Sequence, residues 1–259
     1  MLKSLQIRDK KVELPCFLPD ATFGYIRAVS IKDVKDSGIK GLVVNTYHLL
    51  QKNIINEIDK VNGIHNYMKF NGLIITDSGG FQVMSLIRND SKYGKITDNG
   101  AEFIMDGKRI LLTPENCVKL QLLIGSDVIM CLDDCSYPDI SYDEQEKSVE
   151  RTIRWAKRCK TEFDRLTKNM KKNEKPLIFG IIQGGNYKEL RKKCAEGLVK
   201  IGFDGYAFGG FPVGESKTFL KEIVSYTAGL MPNDKVKYAM GIGKPEDIVF
   251  CVNAGYDLF

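Results

Sequence analysis

Histidine is nearly missing from this chain: His48 and His65 are the two among 259 residues. No C-x-x-C or C-x-C-x-x-C pair occurs either. Zinc sites are built from such spacings and from imidazole, so no metal site is expected within these residues. No apolar run approaches the roughly 20 residues of a membrane-crossing helix. The opening MLKSLQIRDKKVEL lacks the continuous apolar core of a secretory signal, and no signal peptide is expected. Repeats, linkers and low-complexity tracts are missing as well, so the expected organisation is one domain over residues 1–259. Neither charge dominates: 38 basic against 33 acidic residues leave +5. Such a balance permits a nucleic-acid partner without arguing for one. The seven cysteines are scattered and odd in number, which fits a cytoplasmic protein with reduced, buried thiols.

What is present is a rhythm. Short apolar runs recur at residues 41–44, 72–76, 127–132, 177–182, 205–209 and 238–242, each followed by a turn and a helical stretch. They are apolar throughout rather than alternating, as strands of a parallel sheet are when both faces are covered. CFLPD near the start and YDLF at 256–259 supply a first and an eighth run. About eight β/α units favour a (β/α)8 TIM-type barrel over an open doubly wound sheet. LQIRDKKVELP predicts a small hairpin ahead of it, and the DNG and DG turns within residues 86–112 predict an inserted hairpin or two. Thr113-Pro114-Glu115 reads as a helix start. Ser141 to Glu144 reads as a capping box. After it Val149, Ile153, Ala156, Cys159, Phe163 and Leu166 form one apolar stripe. The opposite face, with Arg151, Arg154, Lys157, Arg158 and Lys160, is expected to be solvated in preference to binding tRNA.

Functional residues of a β/α barrel stand where strands end. After the third run come Asp77, Ser78, Gly79, Gly80, Phe81 and Gln82. After the fourth come Asp133, Asp134 and Cys135; after the fifth, Gln183; after the sixth, Gly209 and Gly210; after the seventh, Met240 and Gly241. Tight turns explain single glycines, and helix caps explain single aspartates. Neither needs a glutamine and two carboxylates at successive strand ends. Carboxylate, amide and bare glycine backbone suit a flat ring rich in donors and acceptors, with Phe81 stacked on one face and Met240 covering the other. A purine-like base has that character.

Five segments carry a resemblance: NTYHL, TDSGGFQVMSL, FGIIQGG, GFDGYAFGGFPVGE and MGIGKPEDI, in that order. Together they resemble bacterial-type tRNA-guanine transglycosylases, also called queuine tRNA-ribosyltransferases, over about residues 15–259. The resemblance implies a (β/α)8 barrel carrying a zinc subdomain. It also implies an enzyme of the queuosine pathway that exchanges guanine at the wobble position of a tRNA anticodon loop for a 7-deazaguanine. It implies that Asp77 is the general acid/base and that Ser78, Gly79, Gly80 and Phe81 line the base pocket. Asp133, Gln183 and Gly210 would hydrogen-bond the base. Gly241, Ile242, Gly243, Lys244, Pro245, Glu246 and Asp247 would meet the RNA backbone, Lys244 at a phosphate. The implied chemistry is double displacement through a covalent RNA–enzyme intermediate, with the base withdrawn from its stack.

In that family the segment like AGYDLF runs directly into the nucleophilic aspartate, and the final helix and zinc ligands follow it. The expectation is therefore a chain truncated at strand eight, inactive alone. It would act with a complementing C-terminal segment or in a homodimer, or serve as a non-catalytic base- or tRNA-binding subunit. Asp257 is displaced by two residues, about 6–7 Å along a strand. Asp134 stands where the family has glutamate, and Phe211 and Pro212 where leucine and alanine are usual. A metal-dependent lyase using Asp77, Asp133 and Asp134 is the competing enzyme class; it leaves Gln183 and the GIGKPED segment without a role.

Overall fold

Residues 2–137, 140–213 and 218–259 are described by the computed structural model. An antiparallel hairpin, β1 (Ser4–Ile7) and β2 (Lys10–Glu13), comes first. Then follow α1 (Ile31–Asp36), β3 (Gly41–Asn45), α2 (Thr46–Gln51), α3 (Ile55–Lys60), α4 (Ile64–Met68), β4 (Leu73–Asp77) and α5 (Gly80–Asn89). An antiparallel insertion of β5 (Gly94–Ile96), β6 (Ala101–Met105) and β7 (Lys108–Leu112) precedes α6 (Pro114–Ile124). The remainder is β8 (Val128–Met130), α7 (Tyr142–Thr167), β9 (Leu177–Ile182), α8 (Lys188–Ile201), β10 (Gly205–Phe208), α9 (Lys221–Leu230), β11 (Val236–Ala239) and α10 (Pro245–Asn253).

Six strands form one parallel sheet in the order β3-β4-β8-β9-β10-β11. Two extended segments complete the ring. Cys16 pairs with Leu258, Leu258 with Tyr238, and Asp20 with Val43, all in parallel. The amides of Cys16 and Leu18 donate to the carbonyls of Asp257 and Phe259 (2.9 and 2.8 Å), and Phe259 returns a bond to Cys16 (3.1 Å). On the other sides Ala239 donates to Leu258, and Val43 to Pro19. The eight members follow chain order, which is the (β/α)8 arrangement the apolar rhythm predicts.

Alternation explains why these strands are apolar throughout. Phe179 and Ile181 of β9 point into the barrel with Leu73, Ile75, Val128, Met130, Ala207 and Tyr238. Ile178 and Ile182 point outward into the layer beneath the helices. Leu5, Ile7 and Val12 of the hairpin join the inner cluster, so β1 and β2 plug the end of the barrel where the strands begin. That plug is held by one charge. Asp127, fully buried just ahead of β8, accepts from Lys10 Nζ (2.7 Å), Arg8 Nη1 (3.0 Å) and the Ile74 amide (2.9 Å), and faces His65 Nε2 at 3.1 Å.

The local signals hold. Thr113 caps α6 with Pro114 in its first turn, and Ser141 and Glu144 form the capping box of α7. The basic face of α7 is solvated as expected at Arg154 and Lys157, which are exposed, whereas Arg151 and Arg158 are half-buried in ion pairs. Arg154 pairs with Asp98, Arg158 with Glu115, and Arg151 with Asp134. Trp155, also on α7 and fully buried, donates to the Asp98 carbonyl at 2.9 Å. Positive side chains on this face therefore reach three neighbours: Asp98 in the turn between β5 and β6 of the insertion, Glu115 in the first turn of α6, and Asp134 after β8.

Burial alone would raise the Asp127 pKa. The hydrogen bond and charge of His65, then those of Lys10, outweigh it and hold the carboxyl below its usual 3.8. Its stabilisation is complete above about pH 4 and is lost as pH falls through the lower folded value. Asp127→Asn is expected to lower the unfolding free energy by about 3 kcal/mol at pH 7, since it leaves cations without their counter-charge. Urea unfolding should show that gap narrowing at pH 3. Equal midpoints at pH 7 would remove the anchoring role.

Candidate active site

A cavity of about 580 Å³ opens where the barrel strands end. Asp77 closes β4, and the chain turns at once through Ser78, Gly79 and Gly80 into α5. Gly79 has φ +76°, and a Cβ there would lie 2.8 Å from both Thr46 Oγ1 and the Tyr47 amide, so only glycine brings α5 this close to α2. Asn45, last in β3, donates to Asp77 Oδ2 (2.7 Å) and to Gln82 Oε1 (3.0 Å). Its own oxygen accepts the His48 amide at 3.3 Å. The Asp77 carboxylate is thus fixed from below by its own turn and from the side by the neighbouring strand.

Across the cavity Asp133 accepts from Gln183 Nε2 at 2.6 Å. Both are buried, Asp133 after β8 and Gln183 after β9. Behind them Arg191 of α8 is 1% exposed and donates to the carbonyls of Ile182 (2.7 Å), Gly185 (2.9 Å) and Gly209 (2.9 Å). Its guanidinium lies 4.3 Å from the Phe208 ring, and burial lowers its pKa to about 10.

Burial pushes the Asp77 carboxyl up to about 6; amides of Gly79 and Ser78 pull against it, and the charge of Asp20 adds to the rise. Burial likewise pushes Asp133 up to about 7, opposed by Gln183 and reinforced by Asp77 and Asp134. These are two carboxyls poised to exchange protons near neutrality. Burial and then the nearby charges of Asp133 and Asp134 raise the Cys135 thiol, so a thiolate nucleophile is disfavoured there.

Of the residues singled out in the sequence, Asp77, Phe81, Asp133, Gln183, Gly210, Met240, Gly241, Ile242 and Gly243 all border this cavity. Ser78, Gly79 and Gly80 form the turn behind the wall, where Ser78 Oγ accepts the Gly80 amide. Lys244, Pro245 and Glu246 are exposed at the start of α10, beside Asp247. Glu246 and Asp247 occupy a first helical turn, where the helix dipole favours negative charge. Phe211 is also in the wall, its ring 5.5 Å from that of Phe81 and 5.6 Å from that of Tyr137. Gly214 and Glu215, from the motif around Phe211, lie outside the described residues. Asp257 is remote from the cavity: its carboxylate accepts the amides of Leu2 (3.1 Å) and Lys237 (3.0 Å).

Asp77, Asp133 and Asp134 do not converge as a metal-dependent lyase requires. The Asp134 carboxylate turns away to Arg88 and Arg151. Among the described residues no group of three or more His, Cys, Asp or Glu side chains is placed to hold a metal ion. No described helix is long and apolar enough to cross a membrane. Among the wall residues that sequence reasoning missed are Phe17, Asp20, Asn45 and Tyr238. Asp20 and Asn45 follow the same strand-end rule that found Asp77, but on the first two members of the ring, where no glycine draws attention to them.

A family model described as queuine tRNA-ribosyltransferase matches residues 2–259. A queuine tRNA-ribosyltransferase of Aliivibrio salmonicida is 44% identical over 259 residues, 98% of this chain and 66% of the relative. Those of Pasteurella multocida and Caldanaerobacter subterraneus are 43% and 42% identical, each over 96% of this chain. The chain spans 62–66% of the length of these curated relatives.

Both cavity carboxyls have folded pKa values above their ordinary 3.8. The folded state therefore binds more protons than the unfolded one between about pH 4 and pH 7, and their contribution to stability is lost as pH rises through that window. Asp133→Asn keeps an acceptor for Gln183 and removes the buried charge. The variant is expected to melt higher than the parent at pH 8 and to match it near pH 4. A variant melting lower at both pH values would show that Asp133 is not strained by its burial.

Proposed function

The chain belongs to the queuine tRNA-ribosyltransferase family, and from that premise we propose that its cavity receives a guanine-type base withdrawn from a tRNA anticodon loop. The exchange of that base for a 7-deazaguanine is assigned to the whole protein in which these residues take part. The observation that carries the reading is the buried Asp133–Gln183 pair facing a second carboxyl, Asp77, across one cavity. An ionised carboxylate only accepts hydrogen bonds, and guanine offers N–H groups along one edge. Asp133 suits that edge, Gln183 and the Gly210 backbone suit its carbonyl side, and Phe81 and Met240 suit its two faces.

The proposed chemistry is double displacement. A carboxylate attacks the ribose anomeric carbon, a C–O bond forms, the C–N bond breaks, and guanine leaves with a proton supplied by Asp77. The incoming base gives up its proton to the same carboxylate, forms the new C–N bond and releases the nucleophile. An acid titrating near 6 both gives and takes a proton at neutral pH. Lys244, exposed at the mouth, is the proposed phosphate contact.

Two measurements test this. Base binding needs the ionised form of Asp133, so guanine affinity is expected to fall as pH drops from 8 to 5, with protons released on binding below about pH 7. Asp133→Ala should weaken guanine by about tenfold or more, the value of a charged hydrogen bond. Calorimetry in buffers of different ionisation enthalpy reads both; pH-independent affinity would refute the assignment. In a form extended to the length of the relatives, Asp77→Asn should slow exchange of labelled guanine into tRNA by about 10²–10⁴-fold. An unchanged rate would reassign Asp77 to a structural part.

A further inference from the structure

The cavity has two chemically distinct sides. Asp133, Gln183 and Gly210 follow the adjacent strands β8, β9 and β10. Asp20, Val43, Asn45 and Asp77 belong to the first closing segment, β3 and β4, on the other arc of the ring. A nucleotide whose base edge meets Asp133 therefore directs its glycosidic bond, and the pentose beyond, toward Asp77 and Asp20.

Asp20 is held for contact. Its backbone is fixed by parallel pairing with Val43. Its Oδ2 accepts from Thr22 Oγ1 at 2.6 Å, which orients the carboxylate. Among the described residues Oδ1 has no hydrogen-bond partner, and no cation pairs with the group. Asp20 is exposed and borders the cavity, so its carboxylate stands at the rim where solvent and cavity meet. A bare carboxylate at the entrance of a polyanion site repels phosphate. It is tolerable where it accepts a hydrogen bond that only the correct nucleotide offers. Inside a polynucleotide the 3′ and 5′ oxygens are esterified, which leaves the 2′-hydroxyl as the free donor on the pentose.

We propose that Asp20 is a specificity-determining residue that accepts a hydrogen bond from the 2′-hydroxyl of the nucleotide whose base enters the cavity, selecting ribose over deoxyribose. The inference rests on the reading of the cavity as a base-exchange site and extends it to the sugar.

The test compares an anticodon stem–loop RNA with the same molecule carrying 2′-deoxyguanosine at the wobble position, by fluorescence anisotropy on the chain of 259 residues. The parent is expected to prefer the all-ribose loop by about tenfold. Asp20→Ala should bring the two within about twofold, and Asp20→Asn, which keeps an acceptor oxygen, should restore part of the preference. Equal or undetectable binding of both loops by the parent, or an unchanged preference in Asp20→Ala, overturns the assignment. Free guanine titrated into the parent separates the two levels. Guanine bound without any ribose preference removes only the role of Asp20. Guanine not bound removes the base-exchange reading itself.

Discussion

Closure of the ring is the constraint on which the site depends. Asp20, Asp77, Asp133 and Gln183 are far apart in the chain and meet because eight short parallel segments return to their starting point. The seam is made of few bonds: backbone pairs between residues 19–22 and β3 on one side, and between residues 16–18 and 257–259 on the other. These pairings are isolated bridges rather than continuous ladders, yet they hold one arc of the cavity wall at its distance from the other. A parallel sheet left open at that seam would carry the same side chains without enclosing them.

The two ends of the barrel treat carboxylates in opposite ways. At the plugged end Asp127 is surrounded by Arg8, Lys10 and His65, and its charge is stabilised. At the open end Asp77 and Asp133 have amide partners but no paired cation, and burial drives them toward the neutral form. The same side chain is an anchor in one place and a proton reservoir in the other. Stability gathered at the plug supports strain held at the mouth, a division often found between scaffold and functional face in this kind of barrel.

Much of this was legible in the sequence, for physical reasons. Apolar runs without alternation mark strands covered on both sides, and β4, β8, β9, β10 and β11 fall on them. The strand-end rule led to Asp77, Asp133 and Gln183 because each follows such a run directly. It passed over Asp20, since the first closing segment contains a proline on each side of Phe17 and has little β character of its own, and over Asn45, which ends β3 with no glycine turn after it. The role of the α7 arginines was hidden for a different cause. Periodicity tells which face of a helix is polar, but not that a sheet inserted some fifty residues earlier will fold against it. Nor does any local pattern mark Asp127, whose partners come from β1–β2, α4 and β4.

The buried guanidinium of Arg191 has a consequence for peptide polarity. In a trans peptide the C=O and N–H vectors oppose one another. Arg191 draws the Gly209 carbonyl toward α8, so the amide of Gly210, in the same peptide plane, is turned the opposite way, toward the side on which Gly210 borders the cavity. A cation that never reaches the surface thereby gives this stretch of wall a fixed donor sign, with no side chain spent on it. The cavity is consequently bipolar: carboxylate oxygen on the β8 side, oriented N–H on the β10 side, and between them a span set by one strand spacing on either flank of β9.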